Sequence, residues 1–154
     1  MDVFHASLPN NALGPLDRTC DGVGRFNHFQ NGSIYWTAAI GPHEVHGAIG
    51  GHWAQLGWER SALGYPTSDE QGTPDGVGRY NYFQNGAIYH TAALGPHEIH
   101  GDIFAKWTDL GREHSALGYP ISDEHDAPTG RQSDFEHGSL VWDRNSRVVS
   151  VVIN

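Results

Sequence analysis

Short runs of aromatic and β-branched residues alternate along this chain with glycine-rich and polar breaks. Phe26-Asn27-His28-Phe29 and Ser33-Ile34-Tyr35-Trp36 flank Gln30-Asn31-Gly32. Two such runs separated by Asn-Gly predict a β-hairpin whose turn residues both take φ > 0. Tyr80–Phe83, Asn85-Gly86 and Ala87–His90 repeat the arrangement. Gly41-Pro42 then breaks the pattern. Beyond it, Ile49, Trp53 and Leu56 fall at spacings of four and three, as do Ile103, Trp107 and Leu110. That spacing lines one face of a short helix. Gly57 and Gly111 stand where a left-handed C′ glycine closes such a helix. Gly50 and Gly51 lie inside the first helix, and each weakens it by roughly 1 kcal/mol relative to alanine. Each segment ends at Leu-Gly-Tyr-Pro, where the proline holds the preceding tyrosine extended.

The recurrence is a true internal repeat. With an offset of 54, residues 21–66 align with 75–120 without a gap, and 32 of the 46 positions are identical. A partial third copy follows. Ser122-Asp123-Glu124 matches Ser68-Asp69-Glu70, and Phe135-Glu136-His137-Gly138 echoes Phe83-Gln84-Asn85-Gly86 with two residues missing between. Leu13-Gly14-Pro15 reads as a degraded Leu63-Gly64-Tyr65-Pro66. The predicted organisation is a tail (1–12), two repeat units (13–66 and 67–120), and a partial third unit with a capping strand (121–154). Atypical end units are what the caps of a repeat array look like. The fold class expected is mainly β with short helices, in small hairpin-rich units stacked into an elongated array. The valine-rich segment Val148–Ile153 would be an aggregation-prone edge unless another strand covers it, by docking on the preceding hairpin or swapping between chains.

Composition narrows the function. Nine Lys and Arg against 18 Asp and Glu give a formal charge of −9. Nucleic-acid binders need a basic stripe, so a polyanion partner is not expected. Low charge density with abundant aromatic residues is not a disordered composition. No apolar run approaches the roughly 20 residues that span a bilayer. Cys20 is the only cysteine, so no intrachain disulfide forms. Met1–Pro9 lacks the basic-then-apolar pattern of a secretory signal.

Gly-Pro-His-Glu-Val-His-Gly-Ala-Ile (41–49), Trp53, Leu56-Gly57-Trp58-Glu59-Arg60 and Leu63-Gly64-Tyr65-Pro66-Thr67-Ser68-Asp69-Glu70 together resemble the LGFP repeat, with Tyr in place of the signature Phe. The resemblance covers roughly residues 13 to 142. It implies a row of small β-rich units that accompany envelope hydrolases and mycoloyltransferases of actinobacteria and hold them on cell-wall polysaccharide. It implies no catalytic activity in the repeats. No catalytic domain is expected within these 154 residues.

The sharpest chemical constellation is His43-Glu44-x-His46, repeated as His97-Glu98-x-His100. Zn²⁺ and non-haem iron use such residue types. A zincin helix, however, places its histidines four apart, and these follow a proline on no assured helix. Hydrogen bonding within the fold or to a ligand is the favoured role, with no metal and no cofactor expected. The loop from Ser68 to Gly76 offers oxygens to Ca²⁺ but lacks EF-hand spacing. Gly22-Val23-Gly24 is too short to cradle phosphate and reads as a tight turn. No Gly-x-Ser-x-Gly elbow is present. Every candidate acid exists at least twice, whereas an enzyme has one asymmetric site. The expectation is therefore a binding module with no catalytic residues.

Sugars bind by stacking a C–H face on an aromatic ring while planar polar groups bond their hydroxyls. The hairpins offer Arg25, Asn27, Tyr35 and Trp36 with His43 in the first unit, and Arg79, Asn81, Tyr89 and His90 with His97 in the second. Neighbours on a strand point to opposite faces, so Ile34 and Trp36 in the core would leave Tyr35, and likewise Tyr89, facing a ligand. The reading is a lectin-like repeat that engages a cell-wall or surface glycan through duplicated shallow sites. The alternative is a spacer or protein-interaction repeat. Oligomeric state and location stay open at this level.

Overall fold

The computed structural model describes residues 16–154; the 1–12 tail, the Met1–Pro9 segment and Leu13-Gly14-Pro15 lie outside them. Among the described residues the chain forms three four-stranded antiparallel sheets and two α-helices. The first sheet runs β1 (Asp17–Arg18), β2 (Arg25–Phe29), β3 (Gly32–Thr37) and β4 (Gly41–His46) in sequence order. Helix α1 (Gly47–Leu56) and a 3₁₀ turn (Trp58–Arg60) follow. The second unit repeats this as β5 (Gln71–Gly72), β6 (Gly78–Phe83), β7 (Gly86–Thr91), β8 (Gly95–His100), α2 (Gly101–Leu110) and a 3₁₀ turn (Arg112–His114). The third sheet comprises β9 (His125–Ala127), β10 (Gly130–Phe135), β11 (Gly138–Asp143) and β12 (Val149–Ile153). The mainly β, tandem-repeat architecture is thus the one expected, and the third unit has a complete sheet.

Each helix is shared between two sheets. α1 packs on β3 and β4 of its own unit and on β7 and β8 of the next; α2 packs on β7 and β8, then on β11 and β12. The first interior contains Tyr35, Val45, Ile49, Trp53, Leu63, Tyr65, Phe83 and Ile88. The second contains Tyr89, Ile99, Ile103, Trp107, Leu117, Tyr119, Phe135 and Leu140, the same positions one repeat later. Each of these two interiors is therefore completed by the hairpin of the following unit, so neither repeat buries this apolar face alone. Trp53 and Trp107 are fully buried, and their indole N–H groups donate to Gly64 O (3.3 Å) and Gly118 O (3.2 Å). The helices close as predicted, with Gly57 and Gly111 left-handed at φ 114° and 110°. Leu110 departs from the predicted helix face and is exposed.

Two local expectations are corrected. The hairpin turn is Gln30-Asn31, because Phe29 pairs with Gly32, and neither Asn31 nor Gly32 has positive φ. Glycine is required there for space instead: a Cβ on Gly32 would lie 2.6 Å from His46 Cβ and 2.8 Å from Val45 O. The second correction concerns Gly41-Pro42. It opens the fourth strand, and Pro42 is tolerated because β4 is an edge. The C-terminal segment docks on the preceding hairpin, β12 pairing with β11 from Trp142↔Val149 to Gly138↔Ile153.

Asp21-Gly22-Val23-Gly24 is a tight turn. Asp21 accepts the Val23 N–H (2.9 Å) and the hydroxyls of Thr19 (2.7 Å) and Tyr65 (2.6 Å). In the second unit Asp75 receives Val77 N–H, Thr73 and Tyr119 in the same way. The signature tyrosine thus ties the end of each unit to the turn that opens it. Burial, aided by the adjacent aspartate, pushes the hydroxyls of Tyr65 and Tyr119 up to about 12.

Candidate functional site

The His-Glu-x-His segments lie on edge strands β4 and β8, where alternation puts Glu44 with His46 and Glu98 with His100 on one face. An edge strand leaves backbone groups unpaired, and the Ser-Asp-Glu segment satisfies them. Asp69 Oδ1 accepts the Glu44 N–H (3.1 Å), and Glu44 Oε1 accepts the Glu70 N–H (2.9 Å). The second junction repeats both bonds, from Glu98 N–H to Asp123 (2.9 Å) and from Glu124 N–H to Glu98 (2.9 Å). His46 Nδ1 and His100 Nδ1 donate to Glu44 (2.5 Å) and Glu98 (2.7 Å). Arg79 and Arg131 then close on Glu70 (2.9 Å) and Glu124 (2.8 Å). These motifs form a clasp along the sheet edge. Among the described residues no group of three or more His, Cys, Asp or Glu is arranged to hold a metal ion.

The clasp shifts its ionisable groups. The carboxylates of Glu44 and Glu98 hold the His46 and His100 imidazoles above their ordinary range, against the opposing effect of burial. Burial works to raise Asp123. Donors from His52 and His97 and the Glu98 N–H outweigh it, and Asp123 sits well below the usual carboxylate range. His52 of α1 supplies two of those contacts, at 2.8 and 2.9 Å.

The ten residues expected to face a ligand are dispersed. Tyr35 and Tyr89 are 3% and 2% exposed. The expectation that they point outward is overturned because the helix that follows each hairpin covers that face: Tyr35 meets Trp53 of α1 edge-on (4.6 Å), and Tyr89 meets Trp107 of α2 (4.8 Å). Asn27 and Asn81 are interior as well. Asn81 Nδ2 donates to Glu44 O (3.1 Å) and Ser68 O (2.9 Å), stapling the second sheet to the edge of the first. Arg79 belongs to the clasp, while Arg25 Nη1 reaches Gly24 O at 3.4 Å. His43 lies 3.3 Å from Asp69, and His97 donates to Leu94 O (2.9 Å). Trp36 and His90 are half-buried on their strands. No single surface gathers this set.

A groove that the motifs do not mark lies in the first unit. Two cavities, of about 320 Å³ and 550 Å³, share Tyr35, His28 and Trp58. The smaller runs along α1 past Ser33, His46, Gly50 and Gly51; the larger is bounded by Phe26, Cys20, Glu59 and Arg60. Trp58, in a left-handed conformation (φ 54°) just past the helix, is 44% exposed. Tyr35 forms the floor, stacked on Phe26 at 5.1 Å, and Phe26 meets His28 at 4.9 Å. His28 Nδ1 is 2.6 Å from Ser33 Oγ, and Glu59 accepts the Cys20 N–H (3.0 Å).

The second unit continues this aromatic series with its own side chains. Tyr80, Tyr82 and Tyr89 replace Phe26, His28 and Tyr35. Phe104 stands where Gly50 is, 6.4 Å from the Tyr82 ring. Arg112 stands where Trp58 is, with its guanidinium 5.0 Å from the Tyr82 ring and 5.6 Å from that of Phe104, and it donates to the Tyr82 hydroxyl. Of the 14 positions that differ between residues 21–66 and 75–120, nine line the two cavities of the first unit. That clustering is the sequence signal for the groove, and it resides in the differences between copies rather than in the identities.

The architecture defines a tandem-repeat protein whose units are stacked sheet on helix, with repeated motifs that join the units. The LGFP repeat family matches the chain three times in succession, over residues 15–61, 63–115 and 117–153. The chain belongs to that family. No curated protein matches it.

Proposed function

We propose that this chain is a non-catalytic glycan-binding repeat module that engages cell-wall or surface polysaccharide. The observation that carries the reading is the open groove of the first unit, which exposed Trp58 lines together with an aromatic floor and polar groups. Stacking area beside oriented hydrogen-bonding groups is what a sugar ring requires. The absence of catalysis is supported by the histidines and acids of the repeated motif, which are engaged with one another in the clasp. Membership of the LGFP repeat family favours a cell-surface setting. The test is retention on insoluble cell-wall polysaccharide together with a glycan array, on wild-type protein and Trp58→Ala. Retention lost in the variant supports the proposal; folded wild-type protein that no polysaccharide retains refutes it. A spacer role is the second reading, favoured at the second unit, where Phe104 and Arg112 occupy the corresponding space.

A further inference from the structure

Gly50 and Gly51 are costly choices for a helix interior, since each glycine weakens a helix by roughly 1 kcal/mol relative to alanine. Backbone geometry does not demand them. Neither has positive φ, and a Cβ on Gly51 would meet nothing within 4 Å. At Gly50 a Cβ would make a tight contact with the backbone at Val45 C (3.3 Å), yet the same helix position carries Phe104 in the second unit. What the two glycines do is leave the α1 side of the groove empty. The second unit shows what chemistry this region accepts: the Phe104 ring takes the space, and beside it a flat guanidinium lies over Tyr82 and Phe104 and donates a hydrogen bond to a hydroxyl. A sugar ring presents the same combination, an apolar face and a polar rim.

Resting on the glycan reading above, we infer that the groove seats two successive sugar residues of a polysaccharide chain, one on each side of Trp58, and that Gly50 and Gly51 create the second seat. The larger lobe, with Glu59 and Arg60 at its margin, takes one residue. The α1 lobe, with the His28–Ser33 pair, takes the next in the space that Phe104 fills one unit later. The cavities meet at Trp58 and His28, so the seats are contiguous and the ligand is a linear stretch of polymer. Among the described residues the first unit holds this site, and Phe104 and Arg112 fill its counterpart in the second.

Calorimetry with one-, two- and four-residue fractions of partially hydrolysed arabinogalactan, galactan and mannan tests this. Wild-type protein is expected to bind the two-residue fraction of its preferred polymer at least roughly tenfold tighter than the one-residue fraction, with little further gain at four. In Gly50→Phe/Gly51→Ala, which imports residues the fold already accommodates at 104 and 105, that ratio should fall toward one. The converse variant, Tyr82→His/Phe104→Gly/Arg112→Trp, should raise the stoichiometry from one to two. Equal affinity for one and two residues, or an unchanged ratio in the filled variant, overturns the two-seat inference while leaving glycan binding intact. Displacement of the sugar by Phe-Arg amide at lower concentration than by any sugar fraction overturns it in favour of a peptide ligand. No binding of any fraction removes the glycan reading as well.

Discussion

The first two units share a core and differ at a surface. Their interiors are built from corresponding residues, with Tyr35/Tyr89, Trp53/Trp107, Leu63/Leu117 and Tyr65/Tyr119 in equivalent places. Their edges carry the same clasp. Yet one unit has an open aromatic groove and the other has filled that groove with Phe104 and Arg112. Core positions are constrained because each must fit its own unit and the next. The groove positions His28, Gly50, Gly51 and Trp58 lie outside that shared core, so they change without disturbing the stack. In a repeat protein, residues common to all copies therefore report how units join, and residues that differ report where the copies act differently.

The largest effects should fall on what the two units share. Trp53→Ala and Trp107→Ala each remove a fully buried indole and should cost roughly 3–5 kcal/mol, by similar amounts, in chemical denaturation. A large inequality would show that the two interiors are not equivalent. Trp58→Ala and Arg112→Ala should separate cleanly. The first should abolish polysaccharide retention with little loss of stability, because Trp58 is exposed. The second should leave retention alone and cost about 0.5–1 kcal/mol through the lost guanidinium–aromatic contact.

Smaller effects sharpen the comparison further. Tyr65→Phe and Tyr119→Phe keep the ring but remove a hydroxyl that donates to an aspartate, and each should cost about 1–2 kcal/mol in urea unfolding. Gly51→Ala should raise stability by up to about 1 kcal/mol, since its Cβ enters open space. The corresponding change at Ala105, to glycine, should lower it by a similar amount.

The pH dependence should be mild. Folded His46 and His100 have pKa values raised by their glutamates, so their contribution is complete below the unfolded value of about 6.5 and fades as pH rises through the folded values. Folded Asp123 is lowered, so its contribution is present above the unfolded value of about 4 and fades as pH falls through the folded one. Urea midpoints should therefore be highest between about pH 4 and 6.5 and decline toward alkaline pH. His100→Gln should flatten the alkaline limb, and an unchanged limb would show that the clasp histidines do not supply it.

The repeat, its period, the hairpins, the helices and their closing glycines were all legible in the residues, because each depends on local pattern: strand runs, helical spacing, and glycine just past the last turn. Burial of Trp53 and Trp107 followed from the same helical spacing. The outward orientation expected of Tyr35 and Tyr89 failed because alternation alone assigns one strand face to solvent, whereas here the preceding helix covers the Ile88 face and the following helix covers the Tyr89 face. Gly32 was recognisable as necessary, but the reason for it is contact with β4 rather than turn geometry.

Sequence by itself determined that this is a β-rich array of near-identical units, since backbone propensities and periodicity act over a few residues and repeat whenever those residues do. Only the tertiary structure decided which duplicated polar residues are fasteners between units and which unduplicated ones border empty space. Those roles depend on what lies opposite each side chain, and at Tyr35, Asn81 and Glu44 the partner belongs to a segment distant along the chain or to the next repeat. Trp58 stands apart because glycines on a neighbouring helix turn leave room beside it, a vacancy set by packing in three dimensions.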